Sequence, residues 1–575
     1  MSNLDWAVLI ATLAFIIFYG LWKTRSVNST ESYILGDREL KWYTIGLSIM
    51  ATQASAITFL STPGQGFDDG MRFAQFYFGL PIAMIILCIF VLPIFYRLKV
   101  YTAYEYLENR FDLKTRQFTA LLFLTGRGLA AGITIYAPAI ILSVILGWSL
   151  SWTILILGTI VIMYTMFGGT TAVSQTQKQQ MIIILSGLFV AFLVIISKLP
   201  TEVSFNDAVA VAGQMGKLNV VDFEFDLDNK YNMWSALLGG TFLFLSYFGT
   251  DQSQVQRYLS GKTLTESRLG LIFNGIFKVP MQFGVLFVGI MVFMFFQFIK
   301  PPIHFNPANV EILNSKPEYR DSLALVQADF DEVFEQKKAQ IGTMIAAIDN
   351  DDDTQIASAK KELNVLDRRD RIIRKEVEGL LSSYEVNYPG LTSIEKRDTD
   401  YIFISFVTSH LPHGLIGLLL AVIFAAAMSS VSSELSALAS CTTVDFYRRF
   451  FGEKYSDLHY LRATKGFTFL WGLAALAFAG GASLFENLIE FVNIVGSLFY
   501  GTILGIFVVG FFLKNVKANA IFWAAIVGEI CVVSIFTMDY YGTVNIAYLW
   551  LNLIGCMITI FVSLIFQGLM EGKIE

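Results

Sequence analysis

The sequence predicts an all-α, polytopic membrane protein of about thirteen spans with one soluble insertion, and three observations carry that reading. The 575 residues are 55% hydrophobic and only 15% charged. Apolar runs of roughly 20 residues, the length that crosses a bilayer, recur along the chain. Basic residues gather in alternate loops, where the positive-inside rule uses them to set orientation. The net charge of −6 says little, because the distribution of sign across the loops carries the information; the expected partner is membrane lipid, with no nucleic acid.

The spans fall near residues 6–22, 42–62, 74–96, 117–147, 151–167, 178–198, 233–249, 270–299, 402–441, 463–481, 487–513, 518–538 and 545–567. Lys23, Arg25, Arg38 and Lys41 follow the first, Arg97, Lys99, Arg110, Lys114 and Arg116 the third, and Arg448, Arg449, Lys454 and Arg462 the ninth. That distribution predicts an N-terminus outside and a C-terminus in the cytoplasm of a plasma (inner) membrane protein. The loop at 199–232 then lies outside, in keeping with its acidic balance. The first span lacks a basic n-region and reads as a retained anchor rather than a signal peptide.

Two spans have the residue pattern of interrupted helices. In the second, Ala51-Thr52-Gln53-Ala54-Ser55-Ala56 puts small and polar residues at mid-membrane, with Pro63-Gly64-Gln65-Gly66 after them. In the seventh, Tyr247-Phe248-Gly249-Thr250-Asp251-Gln252 marks a comparable break. Irregular backbone at membrane depth is tolerated where it lines a cavity or is buried in protein, and its freed carbonyls can coordinate a cation. The two segments open five-helix blocks, 42–198 and 233–513, the arithmetic of an inverted repeat. The expected organisation is therefore 1–41 as an extra span and inner loop, 42–198 as the first repeat, 199–232 as an outer loop, 233–299 and 401–513 as the second repeat, 300–400 as an outer insertion, and 514–575 as extra C-terminal spans.

Within the ninth span, Ala425 to Tyr447 sets a dense row of hydroxyls in an apolar helix. Unpaired oxygens are costly in lipid, so the row points to a bound ion or to close helix packing. Sodium is a hard cation that takes several oxygen ligands. Ser429 and Ser430 offer hydroxyls, and an interrupted second span offers carbonyls.

The insertion from Lys300 to Asp400 carries apolar residues at helical spacing, as in Leu323, Val326, Phe330 and Phe334, on either side of Asp349-Asn350-Asp351-Asp352-Asp353. This predicts a helical hairpin with an acidic turn and a surface open to a partner. The turn lacks the glycine and closing glutamate of an EF-hand calcium loop and reads as a solvated turn. Cys88, Cys441, Cys531 and Cys556 lie in or beside spans without CxxC spacing and read as packing residues. The four histidines do not pair with them. No sequon falls in the outer loops, and the one at Asn28 falls on the inner side.

The chain resembles the sodium/solute symporter family, the group holding bacterial sodium/galactose, sodium/proline and sodium/sialic acid carriers and animal glucose, iodide and monocarboxylate carriers. The resemblance rests on Glu31-Ser32-Tyr33-Ile34-Leu35-Gly36-Asp37-Arg38, Gly168-Gly169, Asp251-Gln252-Ser253-Gln254-Val255-Gln256-Arg257-Tyr258-Leu259, and the hydroxyl-rich span ending in Asp445-Phe446-Tyr447. It covers residues 20–515 apart from the insertion. It implies a LeuT-like 5+5 inverted repeat and a main sodium site built from carbonyls of Ala51, Ala54 and Ala426 and hydroxyls of Ser429 and Ser430. A second sodium site in some members uses two hydroxyls, matched by Ser432 and Ser433, with an aspartate where this chain has Gln177.

The substrate pocket is expected between the repeats, with Gln53, Ser55, Thr58, Arg127 and Asn493 facing it. By the resemblance, Tyr247 matches a gate tyrosine, Lys278 and Asn493 match polar substrate positions, and Tyr77 and Phe244 replace groups that recognise galactose. Arg127 fits a substrate carboxylate bidentately. It equally suits pairing with an internal carboxylate, so sugar, sialic acid and monocarboxylate stay open.

The functional expectation is a sodium-coupled symporter of a small organic solute, not an enzyme, because no paired catalytic set or metal-protease motif lies in the spans. A proton-coupled or uncoupled carrier, with Glu434 as the titratable group, and a transporter-like solute sensor are the alternatives. The tail ends at Glu575 soon after the last span, without an output domain for a sensor.

Overall fold

The computed structural model describes residues 1–23, 29–388, 396–452, 454–481 and 488–571. Arg25 and the Asn28 sequon lie outside the described residues. Among the described residues helices account for the regular structure, and ten stretches are long and apolar enough to cross a membrane. Of the other expected spans, 42–62 and 233–249 are built from broken pieces, while 463–481 lies within one unbroken but less apolar helix, Asp457–Gly481.

The first helix, α1 (Asn3–Lys23), is followed by a broken pair, α2 (Trp42–Gln53) and α3 (Ala56–Asp69). Ala54, at φ −84° and ψ 77°, ends α2, so the expected interruption stands between Gln53 and Ala56. Pro63 lies inside α3 rather than ending it. The carbonyls of Phe67 and Asp68 near the end of that helix accept the Lys217 ammonium at 2.6 and 2.7 Å.

Beyond α4 (Leu113–Leu146), α5 (Leu150–Ser197) carries the two spans expected at 151–167 and 178–198, divided by a break at Gly169, and each half is long and apolar enough to cross a membrane by itself. Gly169 has φ +58°, and a Cβ there would meet the Tyr33 ring at 2.6 Å. Both constraints demand glycine. The Tyr33 hydroxyl donates to the carbonyls of Thr165 and Met166, which ties the Glu31–Arg38 motif to this bend.

The second broken pair is α6 (Thr241–Gly249) and α7 (Gln252–Leu259), interrupted where the sequence places it. The Asp251 carboxylate caps α7 by accepting from the Ser253 N–H at 2.8 Å. Next come α8 (Leu264–Phe298) and the hairpin α9 (Pro317–Asp349) and α10 (Asp353–Asn387). The hairpin has its own core of Leu323, Phe330, Val333, Ile373, Val377 and Leu381. Asp352 caps α10 by accepting from the N–H groups of Thr354 and Gln355, which gives the acidic turn a local structural role.

The expected span 402–441 is two helices, not one. A short helix, Ile402–His410, stops at Leu411, and α11 (Leu415–Cys441) starts afresh. Pro412 has no N–H to continue the ladder, and Gly414 turns the chain at φ +92°. The Asp5 carboxylate of α1 accepts from the Gly414 and Gly417 N–H groups and so caps α11. The bundle closes with α12 (Asp457–Gly481), α13 (Leu488–Phe512), α14 (Ala518–Tyr540) and α15 (Tyr548–Glu571). All four cysteines are free thiols.

Candidate functional site

The site grows from the gap in α2–α3. A helix leaves the carbonyls of its last turn without intrahelical donors. At the end of α2 those of Ala51 and Thr52 are met instead by α11: Ser429 Oγ donates to the Ala51 carbonyl at 2.8 Å and Ser430 Oγ to the Thr52 carbonyl at 3.1 Å. Ala51, Ala54, Ala426 and Ser429 are fully buried, and Ser430 nearly so. The geometry thus joins Ala51, Ser429 and Ser430 directly. It adds Thr52, which sequence reading missed, although its place in the Ala51–Ala56 run was the available signal.

Gln177 of α5 enters the same junction. Its Nε2 donates to Thr52 Oγ1, to the Ser429 carbonyl and hydroxyl, each at 3.0 Å, and to Ser433 Oγ at 2.7 Å. Ser432 is not brought into this set: its hydroxyl donates to the Ser429 carbonyl at 3.1 Å, and it is the Ser433 hydroxyl that Gln177 Nε2 reaches. Among the described residues no cluster of three His, Cys, Asp or Glu side chains is arranged to hold a metal. The oxygen donors here are carbonyls and hydroxyls, the set that suits a hard monovalent cation.

Beside the junction lies a cavity of about 120 Å³ lined by Gln53, Ser55, Thr58, Tyr77, Arg127, Phe244, Tyr247 and Asn493, among others. Lys278 is not in its wall. That side chain is fully buried behind Tyr77, with its ammonium 5.7 Å from the ring centroid. Tyr247 lines the cavity while its hydroxyl accepts from Gln254 Nε2 at 2.6 Å, and the Arg127 guanidinium stands 5.3 Å from its ring centroid.

Arg127 is not free. One arm of its guanidinium bonds the Asp251 carboxylate and the Tyr500 hydroxyl, and the other donates to Glu434 Oε1 at 3.1 Å. The Tyr500 hydroxyl also donates to Asp251 Oδ2 at 2.9 Å. Of the two readings the sequence left open, the structure shows the internal pair. Two buried carboxylates share one guanidinium, and Glu434 Oε2 and Arg127 Nε have no hydrogen-bond partner. Asp251 and Tyr500 were missed as site residues. Asp251 was legible as a helix cap at a break, whereas nothing in the sequence linked Tyr500 to Arg127.

The two sets meet on α11. Ser429 and Ser433 are four residues apart and face Gln177, while Ser430 and Glu434, also four apart, face Thr52 and Arg127. An (i, i+4) pair occupies one helix face. A change at Ser430 therefore reaches the cavity wall through a single turn of helix.

The profile of the Sodium:solute symporter family matches residues 33–319 and 382–528. The sodium/iodide cotransporter of Homo sapiens is 31% identical over 302 residues, 52% of this chain and 46% of that protein. The sodium-coupled monocarboxylate transporter 2 of Mus musculus is 29% identical over 286 residues, 50% of this chain and 45% of that protein. The chain spans about half the length of the curated relatives it matches. A solved structure described as the substrate-bound outward-open state of a Na+-coupled sialic acid symporter superposes with a TM-score of 0.74 at 22% identity, covering 99% of this chain and 98% of that one. That likeness is one of fold, and the fold is the LeuT-like one expected above.

Proposed function

We propose that this chain, which belongs to the sodium:solute symporter family, is a sodium-coupled carrier that imports a small organic solute by alternating access. One observation carries the reading: the hydroxyls of Ser429 and Ser430 converge with the freed carbonyls of Ala51 and Thr52 at a helix break, next to a cavity. In this reading sodium is co-substrate, held by those oxygens with Ala54 and Ala426 alongside. It draws α2 and α11 together and so shapes the wall formed by Gln53, Ser55 and Thr58.

Coupling is reciprocal, so the solute raises sodium affinity by the factor that sodium raises its own. Each positive charge carried inward down the membrane potential adds about 2.3 kcal/mol per 100 mV. The proposed orientation puts the N-terminus outside, the C-terminus in the cytoplasm, the repeats at 42–198 and 233–513, and the hairpin on the outer face. Tyr247 is the proposed gate. Arg127 already serves Asp251 and Glu434, so a solute carboxylate has to displace one of them to use it. Lys278 acts on the solute through Tyr77.

A second reading, proton coupling, is favoured by one feature, the carboxylate in excess over Arg127 at Glu434. Uptake into proteoliposomes separates the two. Labelled sugars, sialic acid, small carboxylates and inorganic anions are each tested with an inward sodium gradient, a proton gradient or neither. Sodium-driven accumulation that is lost in Ser430→Ala supports the proposal. Proton-driven accumulation indifferent to sodium and abolished by Glu434→Gln replaces it with the second reading.

A further inference from the structure

We propose that the side-chain amide of Gln177 is the resident occupant of a second cation cage, which limits this carrier to one coupled sodium ion. The inference rests on the sodium reading of the α2–α11 junction and adds what the neighbouring oxygens are doing.

Four oxygens surround Gln177 Nε2 at 2.7–3.0 Å: Thr52 Oγ1, the Ser429 carbonyl, Ser429 Oγ and Ser433 Oγ. Three of them are hydroxyls, each within donating distance of a backbone carbonyl: Thr52 of Ser48 at 2.8 Å, Ser433 of Ser429 at 3.0 Å, and Ser429 of Ala51 at 2.8 Å. Thr52 Oγ1 and Ser433 Oγ also lie 3.0 Å apart, where either can donate to the other. With their protons given to these partners, the hydroxyls present lone pairs to the amide. Neutral oxygens presenting lone pairs to one point form the environment a hard cation seeks. The amide NH2 fills that point with partial positive charge and two hydrogens.

The orientation of the amide follows from the same accounting. Turned over, its carbonyl would face four oxygens whose hydroxyl protons already have partners, whereas in place Gln177 Oε1 accepts from Ser48 Oγ. Gln177, Ser48, Ser429 and Ser433 are all fully buried, so water does not substitute for the missing donor. The amide therefore ties α2, α5 and α11 together without an ion. A carboxylate at this position would have no hydrogen to offer those oxygens and would need a bound cation to be satisfied there.

The test compares the full-length natural chain, Gln177→Asp and Gln177→Asp/Ser433→Ala in nanodiscs, by equilibrium binding of radioactive sodium and by the sodium dependence of thermal unfolding. The expected result is one ion per natural chain with a Hill coefficient of about 1, rising toward about 2 in Gln177→Asp and returning in the double variant. Two ions bound by the natural chain overturn the proposal. So does a folded Gln177→Asp that still binds one. Should Gln177→Asp fail to fold even in high sodium, the natural chain's count decides alone. One-ion behaviour throughout leaves the main site standing while removing this cage, whereas no sodium binding by the natural chain removes both.

Discussion

The oxygen junction at Ser429, Ser430 and Gln177 and the charge cluster at Arg127, Asp251 and Glu434 lie one helical turn apart on α11, yet they solve burial in opposite ways. The junction uses only neutral groups, and its hydroxyls are satisfied by the Ala51 and Thr52 carbonyls that a helix break has released. The cluster buries full charges and closes by pairing them. A buried charge is costly unless paired, while a neutral oxygen cage costs little and still attracts a cation. The comparison teaches which region can change its occupant. Under the proposed sodium reading the junction trades a hydrogen bond for an ion, whereas the cluster cannot lose its arginine without stranding two carboxylates.

The largest expected effect therefore comes from the cluster. Arg127→Ala leaves Asp251 and Glu434 buried and unpaired, with a predicted loss of about 3–5 kcal/mol, the range for breaking a buried ion pair. Thermal unfolding of the purified protein measures it. Arg127→Lys is expected to recover only part, because an ammonium lacks the fork that serves two carboxylates. An Arg127→Ala protein as stable as the natural one would show that the pairing does not hold α4 against α7 and α11.

Next in size is Ser430→Ala, which removes one junction oxygen. The prediction is a rise of about tenfold or more in the sodium concentration for half-maximal uptake, equivalent to about 1.4 kcal/mol, with unfolding temperature little changed. If the sodium dependence does not move, Ser430 is a packing hydroxyl and the comparison loses its functional side.

Glu434→Gln sharpens the contrast from the other direction. Arg127 keeps Asp251 and Tyr500, so the expected change in stability is within about 1 kcal/mol, far below that of Arg127→Ala. Loss of several kcal/mol would instead show that Glu434 is the principal partner.

A separate effect is expected outside the spans, at a cation bonded to neutral oxygens. Burial pushes the Lys217 ammonium down to about 8 from 10.5 while its nitrogen bonds the Phe67 and Asp68 carbonyls. The unfolded chain then binds more protons than the folded one between those values, so stability rises with pH through about 8 to 10.5. Lys217→Met should flatten that rise. An unchanged pH profile in the variant would assign the rise to another group.

Much of the architecture was legible because the bilayer constrains sequence strongly. Apolar run length marked most spans, and small polar residues at mid-membrane marked both breaks, at Ala54–Ser55 and Thr250–Asp251. The hairpin was legible from helical periodicity and an acidic turn. One boundary was misplaced for a local reason, since Pro412 with Gly414 splits the expected span 402–441, whereas the break at Gly169 divides 151–167 from 178–198 as expected. In the candidate site the hydroxyl row announced itself, since hydroxyls in lipid require partners.

What the sequence alone determined is the architecture: membrane-spanning helices with neutral oxygens on α11 and an interrupted helix elsewhere in the chain, because run length and misplaced polarity are local properties. What only the tertiary structure decided is who satisfies whom. Arg127 meets Asp251 and Glu434 across 124 and 307 residues of chain, and Gln177 meets Ser433 across 256. Such pairings depend on how helices distant in sequence pack, and no local pattern encodes them. That is why Arg127 read equally well as a substrate clamp or an internal fixture until Asp251 and Glu434 stood beside it.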